Sequence, residues 1–200
     1  PDWMSETKEN PIINIAESKA GNANIIFAQT LNLMAQAGRI LGKDEAEIAD
    51  WEARYEDLKT AINERLWLED RGMYASWEYP EYMGSPVADK VDVIANGYAV
   101  MFGIGDEEQT QSILENYPLV VYGAPTVWPQ KTGAQFSAIY HNRGVWPGWE
   151  GTLMIGAKEN GNNQVAEEIL KSCVRGAAMS LSNMEVINYA TGEGCHSTQQ

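Results

Sequence analysis

Residues 37–66 read AGRILGKDEAEIADWEARYEDLKTAINERL, and this stretch decides the fold. Its second part carries Ile48, Trp51, Tyr55, Leu58, Ile62 and Leu66, apolar positions three or four residues apart. That spacing follows the turn of an α-helix and lines the side chains along one face. Gly42 falls where a preceding helix should stop, since glycine adopts the left-handed backbone of a helix C-terminus without strain. Asp44, with Glu47 three residues on, reads as a capping box that opens the second helix. Upstream, Ile26, Leu33, Met34, Ala37, Ile40 and Leu41 recur at helical steps and predict a helix over 22–41. Two helices joined by so short a turn form an antiparallel αα-hairpin.

The same grammar returns twice. Val91, Ile94, Ala95, Tyr98, Ala99 and Phe102 mark a helix that Gly103 and Gly105 interrupt, and Asp106 caps a shorter one through Leu114. A third pair runs over 149–159 and 163–181, separated at Gly161, with Val165, Ile169, Cys173, Val174, Ala177 and Leu181 as its inner stripe. Between the pairs lie 67–89 and 117–147, both without helical period and both dense in Gly, Pro, Trp and Tyr. Strand alternation is confined to a few residues, the nearest case being Leu119–Tyr122. The expectation is an all-α chain: helix, short turn, helix, long loop, three times over. Loops of roughly 20 to 30 residues are unusual in compact domains and are usually functional. Their unequal lengths exclude a solenoid of the TPR or HEAT kind.

Composition narrows the function. Asp and Glu number 28 against 14 Lys and Arg, a net charge of -14. So acidic a chain lacks the basic face that nucleic acid or an anionic membrane surface requires. No apolar run reaches the roughly 18 residues of a membrane span. Pro1 opens the chain with no signal-peptide pattern after it. Cys173 sits in the helical pattern beside Ile169 and Val174 and reads as a buried thiol, with a disulfide to Cys195 left open. Two cysteines do not fix the compartment; the expectation favours the periplasm or secretion over the cytoplasm. Two His and no Cys-x-x-Cys give no zinc spacing, and no EF-hand loop is present, so no metal or cofactor is expected. Seven Trp and nine Tyr stand against three Phe. Trp and Tyr join an apolar face to a polar handle, which suits a wet concave site. Most of the Trp fall in or at the edges of the long loops, while Trp51 lies on a helix stripe.

Three stretches carry a resemblance. Asp2-Trp3-Met4-Ser5-Glu6 precedes the first long helix. Tyr140-His141-Asn142-Arg143-Gly144-Val145-Trp146-Pro147 is similar to a Tyr-His-Asn-x-x-Val/Ile-Trp-Pro element of glycogen-debranching-type α-glucosidases and related bacterial proteins. Asn183-Met184-Glu185-Val186, followed by Ala190-Thr191-Gly192-Glu193-Gly194, is similar to a Glu shortly before a Thr-Gly turn in many toroid glycosidases. The chain thus resembles the six-hairpin glycosidases, whose catalytic domain is an (α/α)6 toroid. The resemblance implies that residues 1–200 are the C-terminal part of such a domain, three hairpins of six, truncated at both ends. A fragment of that kind is expected to be inactive alone. It would expose an apolar face that the rest of the domain or a second copy must cover.

Glycoside hydrolysis needs two carboxyl groups, one protonating the leaving oxygen and one activating water or attacking carbon. The resemblance places the general base at Glu185 and makes Asp2 the matching acid. Packing against Trp3 would raise the pKa of Asp2 by desolvation. Glu6 competes for that role or binds substrate. Glu150, after Trp149, is a third acid; in a first helical turn it would stabilise the helix dipole. Glu193 is the alternative to Glu185, or a turn residue. Trp3, Trp128, Tyr140, His141, Asn142, Trp146 and Trp149 are expected to bind sugar, with Trp77 and Tyr79 at the same mouth. The resemblance implies an inverting, exo-acting hydrolase of an oligosaccharide or glycoside. Two other readings stay open: a non-catalytic carbohydrate-binding domain, and a sugar phosphorylase. Arg143 and Lys131 are the only basic residues near the central motif to serve the phosphorylase's anion.

Overall fold

The computed structural model describes residues 17–84, 86–130 and 140–195. Asp2, Trp3, Glu6 and Lys131 lie outside them. Six helices dominate the described residues. The first hairpin is α1 (Gly21–Leu41) and α2 (Glu45–Leu66). Gly42 ends α1 in the left-handed region, and its N–H reaches back to Arg39 and Gly38 carbonyls. Asp44 caps α2 through the Ala46 N–H, so its side chain serves the second turn position alone. The reciprocal capping box stands instead at the fourth helix, where Asp106 and Gln109 each accept from the other's backbone N–H.

The second pair is α3 (Val93–Phe102) and α4 (Glu107–Asn116), and the third is α5 (Pro147–Glu159) and α6 (Asn163–Ser180). Helices α1, α3 and α5 pack side by side, while α2 backs onto α1 and α6 onto α5. α3 approaches α5 closely. A Cβ at Gly97 would lie 2.3 Å from Thr152 Oγ1 and 2.9 Å from the Leu153 backbone N, and one at Gly156 2.7 Å from Val100 Cγ1. Tyr74, Ile25, Ile104, Ile113, Leu153 and Ile169 fill the core between these helices. Asn96 fastens the loop after α2 to α3, accepting from the Tyr74 N–H and donating to the Tyr74 carbonyl.

Hydrophobicity alone misplaces two faces. In α1 the buried positions are Ile25, Ala28, Leu31, Ala35 and Gly38, while Ile26, Leu33, Met34, Ile40 and Leu41 are exposed. In α6 Ala166, Ile169, Ser172 and Gly176 are buried, and the expected inner residues Val174 and Leu181 are exposed with Leu170 and Met179. Small side chains face the neighbouring elements because close packing demands them there: a Cβ at Gly38 would meet Trp51 at 2.9 Å, and one at Gly176 would meet Ile187 at 2.3 Å.

The long loops and the segments beside the helices carry short strands that the sequence pattern does not show. β1 (Lys19–Ala20) pairs with β4 (Trp77–Glu78), and β2 (Trp67–Leu68) with β3 (Met73–Tyr74), all antiparallel. β5 (Val91–Asp92) pairs with β6 (Val127–Trp128). β7 (Gly144–Val145), β8 (Val186–Asn188) and β9 (Gly194–Cys195) form a three-stranded sheet in that order. Leu119–Tyr122 makes only a turn, closed by Val120 against Gly123. Glu78, almost wholly buried, holds the first loop down. Arg65 Nε donates to it at 2.7 Å and Lys19 at 2.9 Å, and Arg65 above all keeps its pKa near 2 against the cost of burial.

Candidate active site

Residues 140–149 run from the end of the second long loop into α5. Trp146 precedes the helix and Pro147 takes its first position, where a missing N–H costs nothing. The rings of this segment close on one another. Trp146 and Trp149 stack with centroids 4.1 Å apart and planes 10° apart. Tyr140 meets the edge of Trp146 at 5.0 Å, and His141 lies 4.6 Å from Tyr140 and 5.2 Å from Trp149. Trp146 is buried, and its indole N–H has no hydrogen-bond partner among the described residues. Asn142 is buried beside them.

The β7–β8 register brings in the carboxylate. Val145 faces Ile187 and Gly144 faces Asn188, so Glu185 leaves β8 where Trp146 leaves β7. The Tyr140 hydroxyl donates to the Glu185 carboxylate. Burial first, then the charge of Glu185 and this hydrogen bond, raises the tyrosine pKa. The structure therefore gathers Glu185, Tyr140, His141, Trp146 and Trp149 in one place. Glu193 stays in the turn beyond β8, its N–H on Thr191 Oγ1 and its carboxylate near the same hydroxyl. Trp128 is half-buried on β6 opposite Val91, packed against the core. Trp77 is buried, with Tyr79 edge-on to it at 5.8 Å. Part of the Trp and Tyr excess therefore serves packing.

Glu150 lies in the first turn of α5, as expected, and is in addition fully buried. Its carboxyl accepts from the Ala124 N–H at 2.8 Å and from the Cys173 thiol at 3.1 Å. A Cβ at Gly123, whose φ is 129°, would lie 2.1 Å from Glu150 Oε2, so only glycine lets the carboxyl sit there. Burial outweighs these hydrogen bonds and pushes the Glu150 pKa up to about 7. Burial and the neighbouring Glu150 push the Cys173 thiol up to about 12, and Cys173 is in no disulfide.

Sequence reasoning missed Asp92. It caps α3 through the Ala95 N–H at 2.8 Å and is 6% exposed. With Ser76, Thr126, Trp77, His141 and Trp149 it lines a cavity of about 30 Å³. Burial lifts its pKa to about 6 against the pull of the Ala95 N–H and of the nearby Ser76 hydroxyl. The signal available was a lone acid inside the apolar run Val91–Ala95. Among the described residues no three His, Cys, Asp or Glu side chains gather to hold a metal, and no helix is long and apolar enough to cross a membrane.

The fold defines a class. Over 88% of its length the chain matches the GH63 mannosylglycerate hydrolase of Thermus thermophilus, with a TM-score of 0.70 at 15% identity, covering 41% of that chain. Neutral trehalase Nth1 of Saccharomyces cerevisiae matches 95% of the chain, again at 0.70, with 13% identity and 38% of that chain covered. Both are six-hairpin proteins, and the three hairpins here are part of an (α/α)6 toroid. The chain thus spans about two-fifths of the length of these relatives. Sequence narrows the class: residues 18–200 match the mannosylglycerate hydrolase MGH1-like glycoside hydrolase domain, and the chain belongs to that family. No curated protein matches it.

Proposed function

We propose that this chain supplies one catalytic carboxylate and much of the sugar-binding wall of an inverting, exo-acting glycoside hydrolase. The observation that carries the reading is the β7–β8 register, which seats Glu185 against Tyr140 beside the stacked Trp146 and Trp149. In this reading Glu185 is the general base. Trp149, half-buried and backed by the stacked Trp146, takes the apolar side of a sugar ring. Asp2 is the general acid, delivered from outside the described residues. Inversion requires the two carboxyl groups about 6.5–9.5 Å apart, with water between. Further hairpins of the toroid cover the apolar side chains exposed on α1 and α6. The family and the Thermus relative suggest a mannoside, so mannosylglycerate is the first substrate to try.

The test uses the full-length protein that carries this chain. It is offered mannosylglycerate, trehalose and a panel of para-nitrophenyl glycosides, and the first-formed anomer is read by proton NMR. Glu185→Gln should lower kcat at least about a thousandfold without moving Tm. Undiminished turnover in that variant would remove Glu185 from catalysis, and a retained anomer would remove the inverting mechanism.

A further inference from the structure

A second site adjoins the ring cluster. Behind His141 and Trp149 lies the cavity bounded by Ser76, Asp92 and Thr126. All three side chains are more than nine-tenths buried. The Thr126 hydroxyl has no hydrogen-bond partner among the described residues. The Ser76 hydroxyl adjoins Asp92 and favours its charge. Leaving the Thr126 hydroxyl unpaired costs about 1–3 kcal/mol, so the cavity is built to be filled by something polar. Its volume of about 30 Å³ admits one oxygen and little more. A carboxyl oxygen accepts and a Thr hydroxyl both donates and accepts, so a guest that can donate and accept satisfies the whole set. An ammonium ion would leave the Thr126 O–H without an acceptor, a carboxylate would be repelled by Asp92, and a methyl group would leave every partner unsatisfied. A neutral hydroxyl meets all of these conditions.

We propose that this cavity is a one-oxygen pocket in which Asp92 and Thr126 read a single hydroxyl of the sugar seated at the ring cluster. His141 and Trp149 join the two sites, because each contributes to the ring cluster and also lines the cavity. A hydroxyl projecting from a ring laid on Trp149 enters the cavity beside it. The assignment rests on the hydrolase reading above and deepens it, making Asp92 and Thr126 determinants of which sugar is accepted. A lone water offers the same chemistry, and the experiment separates the two guests.

The full-length protein is assayed with its best para-nitrophenyl glycoside and with each monodeoxy form of that glycoside. For each deoxy substrate the ratio of kcat/KM to that of the parent is taken in wild type and Thr126→Val. The ratio cancels the concentration of active enzyme, so a variant that folds less well still reports. Wild type should reject one deoxy position by about ten- to a hundredfold, the cost of leaving the pocket unpaired. Thr126→Val, which keeps the side-chain shape, should shrink that one rejection to within about threefold and leave the others unchanged. If no deoxy position stands out, or if Thr126→Val slows parent and deoxy substrates equally, water fills the cavity and the proposal fails. A wild-type protein inactive on every glycoside would instead overturn the hydrolase reading, and the pocket assignment would fall with it.

Discussion

Replacing Glu150 by Gln should make the protein more stable above neutral pH, although the change removes a buried, hydrogen-bonded carboxyl. Its pKa rises from the ordinary carboxylate value of 4.5 to about 7 in the folded chain. Between those values the folded state binds a proton that the unfolded state releases. Stability therefore falls as pH rises from about 4.5 and levels off once pH passes about 7. The gap is about 2.5 pH units, and at roughly 1.36 kcal/mol per unit it costs about 3 kcal/mol on the alkaline side. Gln is neutral throughout, similar in shape, and still able to accept the Ala124 N–H. For a protein of this size about 3 kcal/mol corresponds to roughly 10 °C in Tm. The assay is thermal unfolding by circular dichroism from about pH 5 to pH 8.5. Asp92, also raised, tilts both curves the same way, so the difference between wild type and variant isolates Glu150. The two Tm values should agree near pH 5, and Glu150→Gln should lead by about 10 °C near pH 8.5. Parallel curves would mean that Glu150 is ionised in the folded protein, and the desolvation argument would be wrong.

Four further outcomes are expected. Tyr140→Phe removes the donor to Glu185 and should lower kcat/KM on a glycoside by about ten- to a hundredfold with Tm unchanged, measured by initial rates. Gly97→Ala forces a Cβ against the Leu153 backbone between α3 and α5 and should cost about 2 kcal/mol in urea unfolding. Cys173, its thiol pushed to about 12, should resist N-ethylmaleimide near pH 8 until denaturant is added, as read by peptide mass spectrometry. Glu78→Gln should flatten the acid side of the stability profile. The wild-type carboxylate contributes fully above about pH 4.5, and that contribution is lost as pH falls toward 2.

How much of this was legible depended on the range of the forces involved. Helix existence was legible because the 3.6-residue period is local: Ile48 to Leu66 needs no partner to be seen. Helix facing was not, since α1 and α6 bury Ala28, Ala35, Gly38, Ser172 and Gly176 beside Ile25, Leu31 and Ile169 while other bulky residues stay outside, and neighbour distance sets that choice. Glu185 and the 140–149 rings were legible as motifs, but their meeting was not. It is made by β7 and β8, strands too short for alternation to show and separated in sequence by the whole α5–α6 hairpin. Glu150 read as a helix-start charge because helix position is local, whereas its burial comes from the Gly123 turn and Cys173 arriving from elsewhere. Asp92 was hidden by its ordinary role as a cap, which says nothing of the cavity behind it.

The pairing of β7 with β8 also sets which lengths of chain are free to vary by descent. Side chains alternate across a strand, so one residue gained or lost beside Val145 or Ile187 would slip the register that brings Glu185 to the ring cluster. The Gly161 turn between α5 and α6 carries no such constraint: a Cβ there meets nothing within 4 Å, and added residues would project into open space. Among descendants of this chain, insertions should accumulate at that turn, while the short steps from Tyr140 to Trp146 and from Glu185 to Asn188 keep their length.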